Sequence, residues 1–192
     1  MLTREQILGS SKLQVWATRA EPSLTAGYGL SLGIRLLSPS CNGWSPLARH
    51  SHLLLRLEDA GWEGTAAGWE PADVDAYASG SGQVVEAYRV VALPGMDAAT
   101  WFYAGAMRGR PYGFRRLARF AAWKLTGSGS VFADGGRGEP VCSTGVALAY
   151  LLGGGIDLAG AVGVPAWRWA PGHMWRLSRR RPDLVKYLGR VA

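Results

Sequence analysis

Cys142 opens the apolar run "VCSTGVALAYLL", straight after a Gly-rich loop and Pro140. A cysteine at the start of a helix meets unpaired N–H groups and the positive end of the helix dipole, which favour the thiolate. The same N–H groups can hold an oxyanion when an acyl carbon is attacked. Pro140 has no N–H to donate and suits the position ahead of such a helix. The plainer reading is a small apolar residue that packs, since cysteine is among the most buried residue types. A nucleophile needs a base, and the chain has three histidines. His52 opens the apolar stretch "HLLLRL", His50 shares its side if a strand extends back that far, and His173 lies in the loop-like "APGHMWRL". Glu86 stands inside "VVEAY". A carboxylate there must be paired or face water, because burying it alone costs several kcal/mol. It can hold an imidazole in one tautomer, as the acid of a triad does, or point to solvent or to Arg89.

The elements that must position these residues are legible in part. "LTREQI" carries a capping box from Thr3 to Gln6, with Leu2 and Ile7 as a hydrophobic staple, and predicts a short helix that "GSS" weakens. "HLLLRL" reads as a buried strand, "EDAG" as the turn that ends it, and "WEGTAAGW" as a hairpin partner. "EPADVDAYASGSG" is acidic, then flexible. "QVVEAYRVVAL" is rich in β-branched residues and predicts a strand closed by Pro94 and Gly95. Asp97 is placed to cap a helix over "AATWFYAGAM" that Gly109 ends. "FRRLARFAAWKL" has an apolar helical stripe beside its arginines, and Gly153 to Gly155 stop the cysteine helix. In "PDLVKYL", Pro182 suits the first turn of a short helix. Strands followed by helices make an α+β chain.

The bulk numbers bound the partners. A chain of 192 residues that is 48% hydrophobic, with nine tryptophans, has material for one packed domain and is not disordered. The net charge of +7 favours acidic partners such as anionic lipid, cell-wall polymer or nucleic acid, although a solvated basic surface explains it equally simply. Arg179, Arg180 and Arg181 beside Trp175 form the densest patch. No helix-turn-helix, zinc-finger or aromatic RNA-binding signature points to a specific nucleic acid. Two cysteines do not make a disulfide framework, and no His/Cys spacing suits a structural zinc. No cofactor is expected. His50 and His52, two apart on a strand, share a face and leave a zinc alternative open, with no third ligand evident. The N-terminus lacks a basic segment followed by an apolar one, and no window reaches the roughly 18 apolar residues of a membrane span. The expectation is a soluble protein made in a cytoplasm, with release by another route open.

In order, "SHLLL", "VVEA", "GRPYG", "VCSTGVALAY" and "APGHMWRLS" resemble the circularly permuted branch of the papain-like superfamily, which holds permuted NlpC-type cysteine peptidases and amidases. That group is related in fold to the lecithin–retinol acyltransferases. The matching pieces run from about Ala48 to Ser178, and residues 1–37 stand as an N-terminal extension of one papain-like domain over 1–192. The resemblance implies an antiparallel sheet packed against helices, with the histidine strand ahead of the cysteine helix. It also implies a cysteine hydrolase in which Cys142 is the nucleophile, His52 the base and Glu86 the residue that orients His52. Ser51, Ser143, Tyr112 and Trp44 are candidates for a substrate groove, which Trp62 and Trp69 also border unless they belong to the core. The implied substrate is a cell-wall peptide or an acyl lipid. Four positions depart from the family pattern: Gly113 after the Gly-x-x-Tyr turn, Thr144 and Gly145 after Cys-Ser, and Arg56 in the strand after His52. The competing expectation is a non-catalytic protein of the same shape that binds an envelope or membrane through its basic and aromatic surface.

Overall fold

The structure, a computed structural model, describes residues 1–20, 32, 34, 35, 49–79, 82–115, 118, 122, 126, 140–164 and 169–192. The stretches "GYGLSLGIRLLS", "FRRLARFAAWKL" and "TGSGSVFADGGRGEP" fall largely outside these residues, and Cys41 and Trp44 fall entirely outside them.

The chain is α+β, built on a six-stranded antiparallel sheet. Thr3 and Gln6 close the expected capping box, and helix α1 runs Arg4–Leu8. Strand β1 (Gln14–Ala20) follows. Strand β2 is His52–Leu57, β3 Ala60–Thr65 and β4 Gly68–Pro71, so "HLLLRL" and its hairpin partner form as read. Helix α2 (Val74–Ser79) occupies the stretch read as flexible, with Asp73 Oδ1 accepting the Ala76 N–H at 2.9 Å. Strand β5 is Gln83–Val90. Helix α3 (Met96–Ala106) starts one residue ahead of Asp97, so Asp97 sits in its first turn and is not its cap. Helix α4 (Cys142–Leu148) continues into a π-helical turn, Ala149–Gly153. Helix α5 (His173–Arg180) replaces the expected loop around His173. Strand β6 (Val185–Arg190) replaces the short helix expected after Pro182.

The strand order is β4-β3-β2-β1-β5-β6. Strand β1, assigned to an N-terminal extension on sequence, therefore lies inside the sheet between the strand of His52 and the strand of Glu86. One face of the sheet, through Val15, Ala17, Leu53, Leu55, Tyr88 and Val90, packs against α4, the π-helical turn and α5. The other, through Trp16, Leu54, Val85 and Ala87, is covered by Ile7 of α1 and Val74 of α2. Arg56, a departure from the family pattern, has a reason here. Its buried guanidinium gathers the carbonyls of Ile7 (3.0 Å) and Leu8 at the end of α1 and lies over the Trp16 ring. A buried cation is tolerable when helix-terminal carbonyls accept its N–H groups, and the charges of Asp59 and Glu58 add to this.

No helix among the described residues is long and apolar enough to cross a membrane.

Candidate active site

The site begins with a fork in the sheet. Strands β2 and β3 pair from Leu57↔Ala60 to Leu54↔Glu63. Beyond that pair β3 continues beside β4 as far as Thr65↔Gly68, while β2 continues beside β1 as far as His52↔Thr18. The first residue of α4 sits at this fork. A Cβ on Gly64 would lie 3.0 Å from the Cys142 nitrogen, so only glycine lets the helix start come this close to β3. Deeper in α4, a Cβ on Gly145 would fall inside the ring of Trp69. Gly145, another departure from the family pattern, is what lets α4 lie down on that ring.

Cys142 is a free thiol, 5% exposed. His52 is its electrostatic partner, and each draws the other toward its charged form. The Nε2 atom of His52 meets Glu63 Oε2 at 2.6 Å, which leaves Nδ1 for the thiol. Burial alone would push the thiol up. The charge and hydrogen bond of His52 outweigh it, aided by the Leu53 and Ser143 N–H groups, and hold Cys142 below its ordinary value. Burial would likewise push His52 down. The thiolate and the Cys142 and Glu63 hydrogen bonds reverse this and raise it to about 10. The two directions favour the same pairing, thiolate with imidazolium, and Glu63 is drawn toward its anion behind it. Glu63 is held below the usual carboxylate range against its burial, first by the hydrogen bond and charge of His52 and then by the Tyr77 hydroxyl.

The expectation that Glu86 orients His52 is corrected. Glu86 pairs with Ala17 across β5–β1, and Ala17 pairs with Leu53 across β1–β2. Residues directly opposite one another share a face of the sheet, and neighbours along a strand take opposite faces. Glu86 therefore sits on the Leu53 face, one strand removed from β2, whereas His52 and Glu63 share the Leu54 face. Glu86 serves His50 instead: its Oε2 lies 2.6 Å from His50 Nε2, 2.7 Å from Arg49 Nε and 3.0 Å from the Tyr88 hydroxyl. Arg49 adds a second bond through its terminal nitrogen and lies 4.0 Å over the Trp175 ring. Despite burial, the His50 and Arg49 bonds hold Glu86 far below the carboxylate range. His50, wholly buried, is pushed down by desolvation, more than its carboxylate partner raises it. The bidentate guanidinium is the charge that matches Glu86, so His50 is best described as a neutral imidazole donating its Nε2–H.

This arrangement also separates His50 from His52. His50 lies edge-on to Tyr88 of one core layer, whereas His52 lies parallel to the Tyr77 ring of the other, and each has its own carboxylate. The shared face assumed for a zinc pair is absent. Among the described residues, no group of three or more His, Cys, Asp or Glu side chains is set to hold a metal. His173 accepts the Ala170 N–H on Nδ1 and stacks on Trp169, inside the core.

The groove candidates divide. Tyr112 lies beside Cys142, and burial together with the thiolate charge pushes its hydroxyl up. Its loop is pinned to the helix start by Gly113 N–H to Pro140 O (3.1 Å) and to β4 by Trp69 N–H to Arg110 O (2.9 Å). Ser51 is buried and donates to Thr18 O, and Ser143 is buried and donates to Trp169 O, so both tie backbone together and neither lines a groove. Trp69 is core, donating to Ala104 O, and Trp62 packs on Trp101. Trp44 lies outside the described residues.

Sequence reasoning missed Glu63 and Tyr77. The signal for Glu63 was present: a two-residue turn at Glu58–Asp59 makes Leu57 and Ala60 partners, and counting back puts Glu63 opposite Leu54, diagonal to His52 on the same face. No family model, no curated protein and no solved structure matches the chain.

Proposed function

We propose that the protein is a cysteine hydrolase with a permuted papain-like arrangement, acting on an amide or ester by acyl transfer through Cys142. The observation that carries this reading is the Cys142–His52–Glu63 chain, in which a buried thiol is drawn below its ordinary value by a histidine that a carboxylate backs. A packing cysteine has no need of such partners. The His-strand, acidic-strand, Cys-helix order and the antiparallel sheet agree with the resemblance read from the sequence.

In this reading the Cys142 thiolate attacks the carbonyl carbon and forms the C–S bond, while the carbonyl electron pair moves onto oxygen. The Cys142 N–H at the start of α4 and the neighbouring Tyr112 hydroxyl are the donors this reading assigns to that oxyanion. As the tetrahedral intermediate collapses, the His52 imidazolium gives its proton to the leaving amine or alcohol. Water then attacks the thioester, His52 takes the water proton, and the acid product leaves with the thiolate restored. Glu63 fixes the His52 ring and balances its charge throughout, without itself taking the proton. The resemblance favours a cell-wall peptide or an acyl lipid as the source of the acyl group.

The test is covalent trapping. With an activated ester such as a p-nitrophenyl acyl ester, intact mass and peptide mapping should find the acyl group on Cys142, and Cys142→Ser and His52→Ala should abolish it. Acylation spread over Cys41 and surface lysines, unchanged in His52→Ala, would contradict the proposal. A panel of cell-wall peptides against acyl lipids then separates hydrolase from lipid acyl transfer.

A further inference from the structure

Glu63 does not meet His52 alone. The Oε2 atom that lies 2.6 Å from His52 Nε2 also accepts the Tyr77 hydroxyl at 2.7 Å. The Tyr77 ring lies nearly parallel to the imidazole, at 10° with centroids 6.3 Å apart. One side chain thus reaches both members of the base couple. Its helix is not free to drift: Asp73 caps α2, and Arg4 of α1 donates to Ala78 O (2.8 Å) and, through Nε, to Val191 O (2.8 Å). The N-terminal helix thereby ties α2 to the end of the chain beyond β6.

We propose that Tyr77 is a positioning residue for the base, its ring backing the His52 imidazole and its hydroxyl fixing the Glu63 oxygen that holds that ring. This rests on the reading of Cys142 and His52 as nucleophile and base. A carboxylate oxygen that takes two donors has both its position and its charge set by them. The groups that face Glu63 are His52 from β2, Tyr77 from α2 and Asp73 at the start of α2, and His52 is faced in addition by Cys142 of α4. Asp73 is the like charge in this set and favours protonation of Glu63, which the Tyr77 hydroxyl opposes. Without the hydroxyl Glu63 takes a proton at higher pH. The imidazolium then loses its anion and the thiolate its partner, since protons bind to such a network as a whole.

The experiment is the pH dependence of Cys142 alkylation by iodoacetamide in a Cys41→Ser background, with thermal unfolding measured on the same samples. In Tyr77→Phe the lower limb of the profile should move up by about one pH unit, the scale of one hydrogen bond to a charged group. Tyr77→Leu, which also removes the ring, should show that move together with a lower plateau. A Tyr77→Phe protein with wild-type melting and an unmoved limb would overturn the proposal. Wild-type reactivity that does not depend on His52 would instead remove the reading beneath it, so the two failures are distinguishable.

Discussion

The two buried carboxylates invite a direct contrast, because the fold gives them different work. Replacing Glu63 by Gln keeps the side-chain shape and removes the charge behind His52. A hydrogen bond to a charged group contributes about 1.5–3 kcal/mol, and 1.4 kcal/mol is a factor of ten, so the thiolate–imidazolium pair should fall about 10- to 100-fold. The Glu63–His52 contact, at 2.6 Å and only partly exposed, belongs in that range and is not diluted to a surface ion pair. Replacing Glu86 by Gln leaves that couple untouched but strips the partner from Arg49 and from a wholly buried His50. Breaking a buried pair costs about 3 kcal/mol at the lower end of its range, which suits Arg49 because its side chain is 29% exposed. The assay is the second-order rate of iodoacetamide with Cys142 at neutral pH, read by mass spectrometry, alongside urea unfolding. Glu63→Gln should lose reactivity while staying folded. Glu86→Gln should lose stability while each folded molecule keeps its reactivity. If Glu86→Gln silences the thiol and Glu63→Gln does not, the assignment of carboxylates to histidines made here is refuted.

Three further outcomes follow from the same geometry. Tyr112→Phe removes one oxyanion donor and should lower kcat on an activated ester by about 10²-fold with little change in KM, as loss of a transition-state donor does; steady-state kinetics at one pH checks it. Gly145→Ala drives a methyl into the Trp69 ring and should destabilise the protein by about 1–3 kcal/mol through overpacking, read as a lower midpoint in urea unfolding. Glu86 and His50 both sit below their unfolded values, so each contributes stability present above its unfolded pKa and lost as pH falls toward its folded one. The wild-type advantage over Glu86→Gln should therefore be constant near neutral pH and shrink below about pH 4, where unfolded glutamate begins to bind protons.

The helix start at Cys142 and the strand start at His52 were legible in the sequence because their signals are local. A cysteine after Pro140 at the head of an apolar run, and a histidine at the head of "HLLLRL", announce a helix start and a strand start without help from distant residues. The partner of the base was not read correctly, because choosing between Glu63 and Glu86 depends on which strand lies beside β2 and on which face each carboxylate falls. That in turn depends on β1, whose sequence "QVWATRA" gave no reason to place it at the centre of the sheet. Strand β6 was hidden for a similar reason. "VKYLGR" has no strong alternation, and it becomes a strand by pairing with β5 at the sheet edge. Arg56, Thr144 and Gly145 looked like departures from a family pattern. Arg56 gathers the end of α1, Thr144 accepts the Val141 N–H at 3.0 Å as the capping partner of α4, and Gly145 admits Trp69. Each answers a local packing or capping demand of this chain, which spacing alone does not reveal.

The central claim is the ion pair between Cys142 and His52, and its ionisation can be followed without any substrate. In a Cys41→Ser background, ultraviolet absorbance of the thiolate as a function of pH reports Cys142 alone. The predicted titration lies below the ordinary thiol range and returns toward it in His52→Ala. A Cys142 that titrates in or above the ordinary range, with or without His52, would contradict the account.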